Sequence, residues 1–186
     1  MFIQTEATPN PATLKFIPGR LVLTAGTADY RVGDDADASP LATRLFEIDG
    51  VTGVFLGSDF ISVTKGEADW QHLKPAILGA IMEHYMSGAP VVTSGEGNDV
   101  AEGNYDPADE QIVATIKELL ETRVRPAVAQ DGGDITFHGF DRGVVYLHMQ
   151  GACAGCPSST LTLKMGIENL LRHYIPEVTE VRPVAV

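Results

Sequence analysis

Cysteine is nearly absent from this chain of 186 residues: there are two, Cys153 and Cys156. Two thiols cannot build the disulfide framework that steadies small secreted domains, and they fit a reducing compartment. A disulfide across two intervening residues would close a tiny loop and constrain the unfolded chain little. Basic residues are also scarce, 13 Lys and Arg against 25 Asp and Glu, for a net charge of −12. That balance speaks against a nucleic-acid binder or a protein of anionic membrane surfaces. The negative charge is spread along the chain, about −5 before residue 89, −4 across 89–107 and −3 beyond. No apolar run reaches the roughly 18 residues that a membrane-spanning helix needs. The N-terminal residues read as neither a signal peptide nor an Arg-rich transit peptide, since strand-like sequence begins at Phe2. The expected location is bacterial cytoplasm, or the mitochondrial matrix for a mature eukaryotic form. No internal repeat is evident.

What is present reads as two small α+β domains, 1–88 and 108–186, joined by an acidic linker over 89–107. Phe2 to Thr5 and Thr13 to Ile17 read as strands, separated by the Pro9-Asn10-Pro11 turn. Leu21-Val22-Leu23 reads as a short extended piece, and Ala28 to Val32 as a strand within a Gly- and Asp-rich loop. Ser39-Pro40 opens a helix, with Ser as cap and Pro at the first position. Val51 to Leu56 and Phe60 to Val63 form a hairpin around Gly57-Ser58-Asp59. After Asp69-Trp70 a second helix presents Leu73, Ile77, Ile81 and Tyr85 to a core. His72 and His84 on that helix have no Asp or Ser partner, and they read as solvated or edge residues. This domain shows no catalytic constellation.

The 89–107 stretch is rich in Gly, Pro and acid and has little periodicity, which is linker composition. Beyond it Ile112, Ile116, Leu119, Leu120, Val124 and Val128 trace a helical stripe that Pro126 should kink or end. Asp131-Gly132-Gly133-Asp134 reads as a tight turn that sets the geometry of a neighbouring strand. A carboxylate metal site at Asp131 and Asp134 is the weaker reading, since no other ligand lies nearby. A hairpin follows, Ile135 to Phe137 and Val144 to His148 around Asp141-Arg142-Gly143. The last helix buries Leu163, Ile167, Leu170, Leu171 and Tyr174, Pro176 stops it, and Val178 to Val181 closes the domain as a strand. The order is α-β-β-α-β.

Both cysteines sit between that hairpin and that helix, in Gly151-Ala152-Cys153-Ala154-Gly155-Cys156-Pro157. Pro157 is suited to the first helical position, so the thiols lie on a strand-to-helix turn at the positive end of a helix dipole. That placement is expected to lower thiol pKa and favour thiolate. The glycines let the backbone come close, so that N–H groups can point at sulfur. Three chemistries fit: a dithiol/disulfide couple, a zinc site and an iron–sulfur cluster. A closed zinc site wants four ligands, and a cluster usually wants four thiolates. One chain has two, so a cluster ligated by cysteine alone requires two chains about a two-fold axis. His148 and His138 lack a convincing ligand spacing, and His148 reads as a half-exposed strand residue. A thioredoxin-like dithiol would follow a strand of a βαβ unit, and no such pattern is read around the motif.

Gly151 to Lys164, with Asp131-Gly132-Gly133-Asp134 upstream, resembles the C-terminal NifU domain of iron–sulfur cluster scaffold and carrier proteins. Met1 to Thr5 and Thr8-Pro9-Asn10-Pro11-Ala12-Thr13-Leu14-Lys15-Phe16 resemble the N-terminal domain of Nfu-type members. Together these cover nearly the whole chain. The resemblance implies a [4Fe-4S] cluster, which spacing alone does not distinguish from [2Fe-2S], held by Cys153 and Cys156 of a homodimer. It also implies apo iron–sulfur client proteins, upstream assembly proteins, and an N-terminal domain that helps to recognise partners. Such a carrier exchanges ligands and turns over no substrate, so no enzymatic activity is expected. The competing readings are a dithiol oxidoreductase acting through Cys153 and Cys156, and a zinc-bridged structural dimer.

Overall fold

The computed structural model describes residues 1–93, 103–154 and 157–184, without the side chains of 157–159. Gly155, Cys156 and the middle of the linker stretch, 94–102, lie outside the described residues. The chain divides into two units, Met1–Asp99 and Val100–Val186.

The first unit is one antiparallel sheet of five strands, β1 (Gln4–Ala7), β2 (Thr13–Ile17), β3 (Ala28–Arg31), β4 (Val51–Leu56) and β5 (Ile61–Lys65), with two helices, α1 (Pro40–Phe46) and α2 (Trp70–Ser87). The spatial order is β1-β2-β5-β4-β3. Both helix starts follow from their caps. Ser39 Oγ accepts the Ala42 N–H at 3.1 Å, and Asp69 Oδ1 accepts that of Gln71 at 3.4 Å, each using a donor that the first turn leaves free. Phe16, Leu41, Leu45, Leu56, Ile61, Ile77 and Ile81 fill the core with no accessible surface. Each such side chain contributes about 1.5–3 kcal/mol by leaving water.

Three expectations are corrected here. Leu21-Val22-Leu23 is not extended strand. Val22 and Leu23 are buried, and their N–H groups both donate to the Ser58 carbonyl at the hairpin tip, at 2.8 and 3.3 Å. That anchoring makes a bend, which apolar content alone does not reveal. His84 is neither solvated nor at an edge: it is 1% exposed and continues the Leu73–Ile77–Ile81 stripe, while Tyr85 is half-buried. Tyr85 packs against the core as expected, and a 3.6-residue period brings 84 onto the buried line beside it. Burial and the Arg44 charge lower the His84 pKa against a hydrogen bond with the backbone of Ala89, so this imidazole is held toward its neutral form. On the last helix, Tyr174 is 48% exposed, and the buried line instead runs Ile167, Leu171 and Ile175.

The second unit holds α3 (Glu110–Leu119), a π-turn over Leu120–Val124, α4 (Arg125–Gln130), β6 (Gly133–Asp141), β7 (Val144–Gly151), α5 (Pro157–Tyr174) and β8 (Glu180–Val184). The expected helical stripe is thus broken before Pro126, which stands in the first turn of α4, where its missing N–H costs least. β6 and β7 pair antiparallel across a turn in which Arg142 and Gly143 both have positive φ, 50° and 85°. Such backbone suits the twist of a two-residue hairpin. β8 pairs parallel to β7. This corrects the reading that no βαβ pattern surrounds the cysteines: β7-α5-β8 is one, since a parallel neighbour requires a crossover and the 18-residue α5 supplies it. The sheet order is β6-β7-β8, with β7 in the middle.

Parts of the 89–107 stretch are tied down. Ser39 Oγ donates to the Val91 carbonyl and the Thr93 N–H to that of Ala38, both at 2.7 Å, within the first unit. In the second, Asn104 bridges to Gly139 on the edge of β6. The Tyr105 ring packs edge-on to Phe137 at 6.3 Å, with Lys117 Nζ over both rings.

Candidate functional site

The site is built where β7 runs out. Gly151, the last residue of β7, has φ 63°, which turns the chain out of the sheet at a cost that glycine alone avoids. Ala152, Cys153 and Ala154 then fold back over the start of β6. The Ala152 N–H donates to the Gly132 carbonyl at 3.2 Å, and the Ala154 N–H to that of Gly151 at 3.1 Å. From the far side, Thr160 Oγ1 in the first turns of α5 donates to the Cys153 carbonyl at 3.2 Å. Strand end, Gly-Gly turn and helix start therefore all grip the backbone around one thiol.

Gly133 makes room for that thiol. It pairs directly with Gly151 in the sheet. A Cβ on Gly133 would lie 2.5 Å from Cys153 Sγ, 2.8 Å from the Gln150 carbonyl oxygen and 3.0 Å from the Cys153 nitrogen. The Asp131–Asp134 turn, read from sequence as setting a neighbouring strand, thus forms the floor beneath the sulfur. Among the described residues its carboxylates gather no third ligand for a metal ion. Asp134 is 4% exposed and is gripped by Arg125 through two bonds, Nε to Oδ1 at 2.9 Å and Nη2 to Oδ2 at 2.8 Å. Oδ1 also accepts the Ile135 N–H at 2.8 Å. The π-turn brings Arg125 to this position, and Glu121 pairs with the same guanidinium. Arg125, and with it the role of Asp134 as its partner, is what sequence reasoning missed. No local signal links the two, since they stand nine residues apart.

Cys153 is only 6% exposed and belongs to the hydrophobic core of its unit. Burial first, then the charges of Asp131 and Asp134, push its thiol up to about 12. This reverses the expectation of a lowered pKa: loss of hydration and two nearby carboxylates all disfavour the thiolate. Cys156, the other expected ligand, lies outside the described residues, as does Gly155. His148 is half-buried on β7, and His138 is exposed on β6. Among the described residues no three His, Cys, Asp or Glu side chains gather as a metal site. Among them, too, no helix is long and apolar enough to cross a membrane.

Comparison with known proteins follows the two units. Residues 3–88 match the family described as scaffold protein Nfu/NifU N terminal, and residues 116–182 match the NifU-like domain. The chain is 52% identical over 186 residues to the human protein named NFU1 iron-sulfur cluster scaffold homolog, mitochondrial, covering 99% of this chain and 72% of that one. It is 52% identical over 181 residues to NifU-like protein 4, mitochondrial, of Arabidopsis thaliana, covering 96% of this chain and 64% of the relative. This chain thus spans about two thirds of the length of these relatives. Among solved structures, the solution NMR structure of a NifU-like protein from Saccharomyces cerevisiae aligns at a TM-score of 0.47 and 25% identity, over 51% of this chain and 87% of its own.

Proposed function

Because the chain belongs to the Nfu/NifU scaffold-protein family, we propose that it carries an iron–sulfur cluster. In this reading two copies hold one [4Fe-4S] cluster between their Cys153/Cys156 turns and pass it to apo-proteins. The observation that carries the reading is the glycine-floored pocket around Cys153, in a chain with only two thiols. A tetrathiolate cage then needs a second chain. Transfer is ligand exchange. An incoming client thiolate forms an Fe–S bond as the bond from iron to Cys153 or Cys156 breaks, and the released sulfur takes up a proton. Burial favours that protonated state at Cys153. No turnover of a substrate is involved. The N-terminal unit assists in recognising upstream assembly proteins and clients. The setting is bacterial cytoplasm, or the mitochondrial matrix if the source is eukaryotic.

The test is anaerobic reconstitution, followed by iron and acid-labile sulfide per chain. About two of each per chain, in a species of twice the chain mass, is expected for a shared cubane. Cys153→Ser and Cys156→Ser should each abolish uptake while the fold persists. Full loading of Cys153→Ser would overturn the ligand assignment.

The β7-α5-β8 setting favours a second reading, a dithiol oxidoreductase. It predicts a reversible Cys153–Cys156 disulfide and thiol exchange by a colourless, iron-free monomer. The raised Cys153 pKa weighs against it, since redox thiols of this kind sit well below the ordinary value.

A further inference from the structure

The outward side of α5 carries no charge along the turns that follow the cysteines. Leu161, Thr162, Met165, Gly166 and Asn169 are all exposed, and Leu161 and Met165 each show 58% of their surface. Residues three and four apart stack on one side of a helix, so these five make one continuous stripe. A Cβ on Gly166 would meet nothing within 4 Å, which leaves helix backbone open to close approach. The charged residues that interrupt this sequence are matched inside the chain, Lys164 to Glu180 at 3.8 Å and Glu168 to Arg172 at 3.6 Å. The outward side of the neighbouring segment is different: Glu110, Glu118, Glu121 and Arg123 are all exposed there.

We propose that this stripe is the surface on which a second copy of the chain seats itself when the two share a cluster. The proposal rests on the carrier reading above. The cage is incomplete on one chain, and α5 begins at Pro157, directly after Cys156. Two cysteine turns that converge on one cluster therefore bring the opening turns of both α5 helices together. An isologous contact sets a face against its own copy, so any charge near the axis meets its like. In a chain of net charge −12, an uncharged stripe on the turns that follow the cysteines in sequence meets its copy without that repulsion. Two apolar side chains and three small or polar ones fall well short of the roughly 1,000 Å² that a lasting interface buries. The seam therefore closes only while the cluster bridges it, and it opens on discharge.

The test uses the full chain with two surface double variants, L161E/M165E and L161K/M165K, reconstituted with iron and sulfide. Mass is read by light scattering, and cluster loss by absorbance under a chelator. Wild type should hold a two-chain cluster. Each variant alone should lose iron faster by on the order of tenfold and fall to a single chain as it does so, the effect of like charges across the axis. An equal mixture of the two should recover the two-chain species and its retention, because opposite charges then face each other. Circular dichroism of the apo-proteins should be unchanged. Two-chain holo-variants with wild-type retention overturn the proposal, even if they fail to pass the cluster to an acceptor, which would make the stripe a client surface. Variants that stay single-chain when mixed also overturn it. Wild type that takes up no iron sinks the carrier reading itself, a result distinct from failure of the seam alone.

Discussion

Each unit buries one notable carboxylate, and the two are treated differently. Asp29 on β3 has a 17% exposed side chain and meets Arg31 only at 3.9 Å. Burial raises its pKa from 3.8 to about 6, an effect that Arg31 lessens and Asp34 adds to. Asp134 beside the thiol has a 5% exposed side chain, yet it receives a full two-point grip from Arg125 and a backbone N–H. On β3 the carboxylate is left with one distant partner. Under Cys153 the chain instead fixes the position of the group, using a π-turn to deliver the partner. Local irregularity gathers where the chemistry is placed: the π-turn, the Gly133–Gly151 pair and the buried thiol all fall within one end of the second unit.

The largest test of this contrast is Arg125→Ala. It strands a buried charge, so the second unit should lose about 3–5 kcal/mol in chemical denaturation. The transition of the first unit should not move. An equal loss from both units would show that they fold as one. Next comes Gly133→Ala, whose methyl would press on Cys153 Sγ and two backbone atoms. Overpacking of this kind costs about 1–3 kcal/mol, and iron uptake should fall with it. Unchanged uptake would mean that the floor is not part of the site.

Asp29→Asn should act with the opposite sign. The raised pKa of Asp29 means that the folded state prefers the neutral acid. Its handicap is absent below about pH 4, builds as pH rises from about 4 to about 6, and is constant above that. The variant should therefore gain on the order of 1–2 kcal/mol at pH 7, shrinking to nothing at pH 3.5, as read from denaturant midpoints at both. A gain that is flat with pH would show that the charge is not its source. The smallest effect is Ser39→Ala, which removes the α1 cap and the bond to Val91. About 1 kcal/mol is expected from the cap, confined to the first unit's transition.

Features set by a few adjacent residues were legible in the sequence. Ser39-Pro40, Asp69 and Pro157 start helices as their chemistry dictates, and Gly57-Ser58-Asp59 and Asp141-Arg142-Gly143 turn hairpins. The strand-to-helix turn that carries Cys153 was read from Gly151 and Pro157, and the Asp131–Asp134 turn from its two glycines. What escaped depends on partners far along the chain. The parallel pairing of β8 leaves no local period. The Leu21–Leu23 bend is set by Ser58. Arg125 finds Asp134 only because a π-turn shifts the helix. The direction of the Cys153 pKa followed from how deeply its surroundings bury it, which spacing does not report.

β7 ends at the thiol and is the middle strand of its sheet, and one of its neighbours, β8, comes from residues 180–184. On a ribosome, where a chain grows from its N-terminus, the hairpin and the cysteine turn emerge well before that neighbour exists. Until Val184 has cleared the exit tunnel, β7 is an open edge and the turn has no finished scaffold beneath it. The nascent chain therefore passes through an interval in which the Cys153 turn rests on a sheet that is still one strand short, and its β7 edge is open to pairing with the wrong partner.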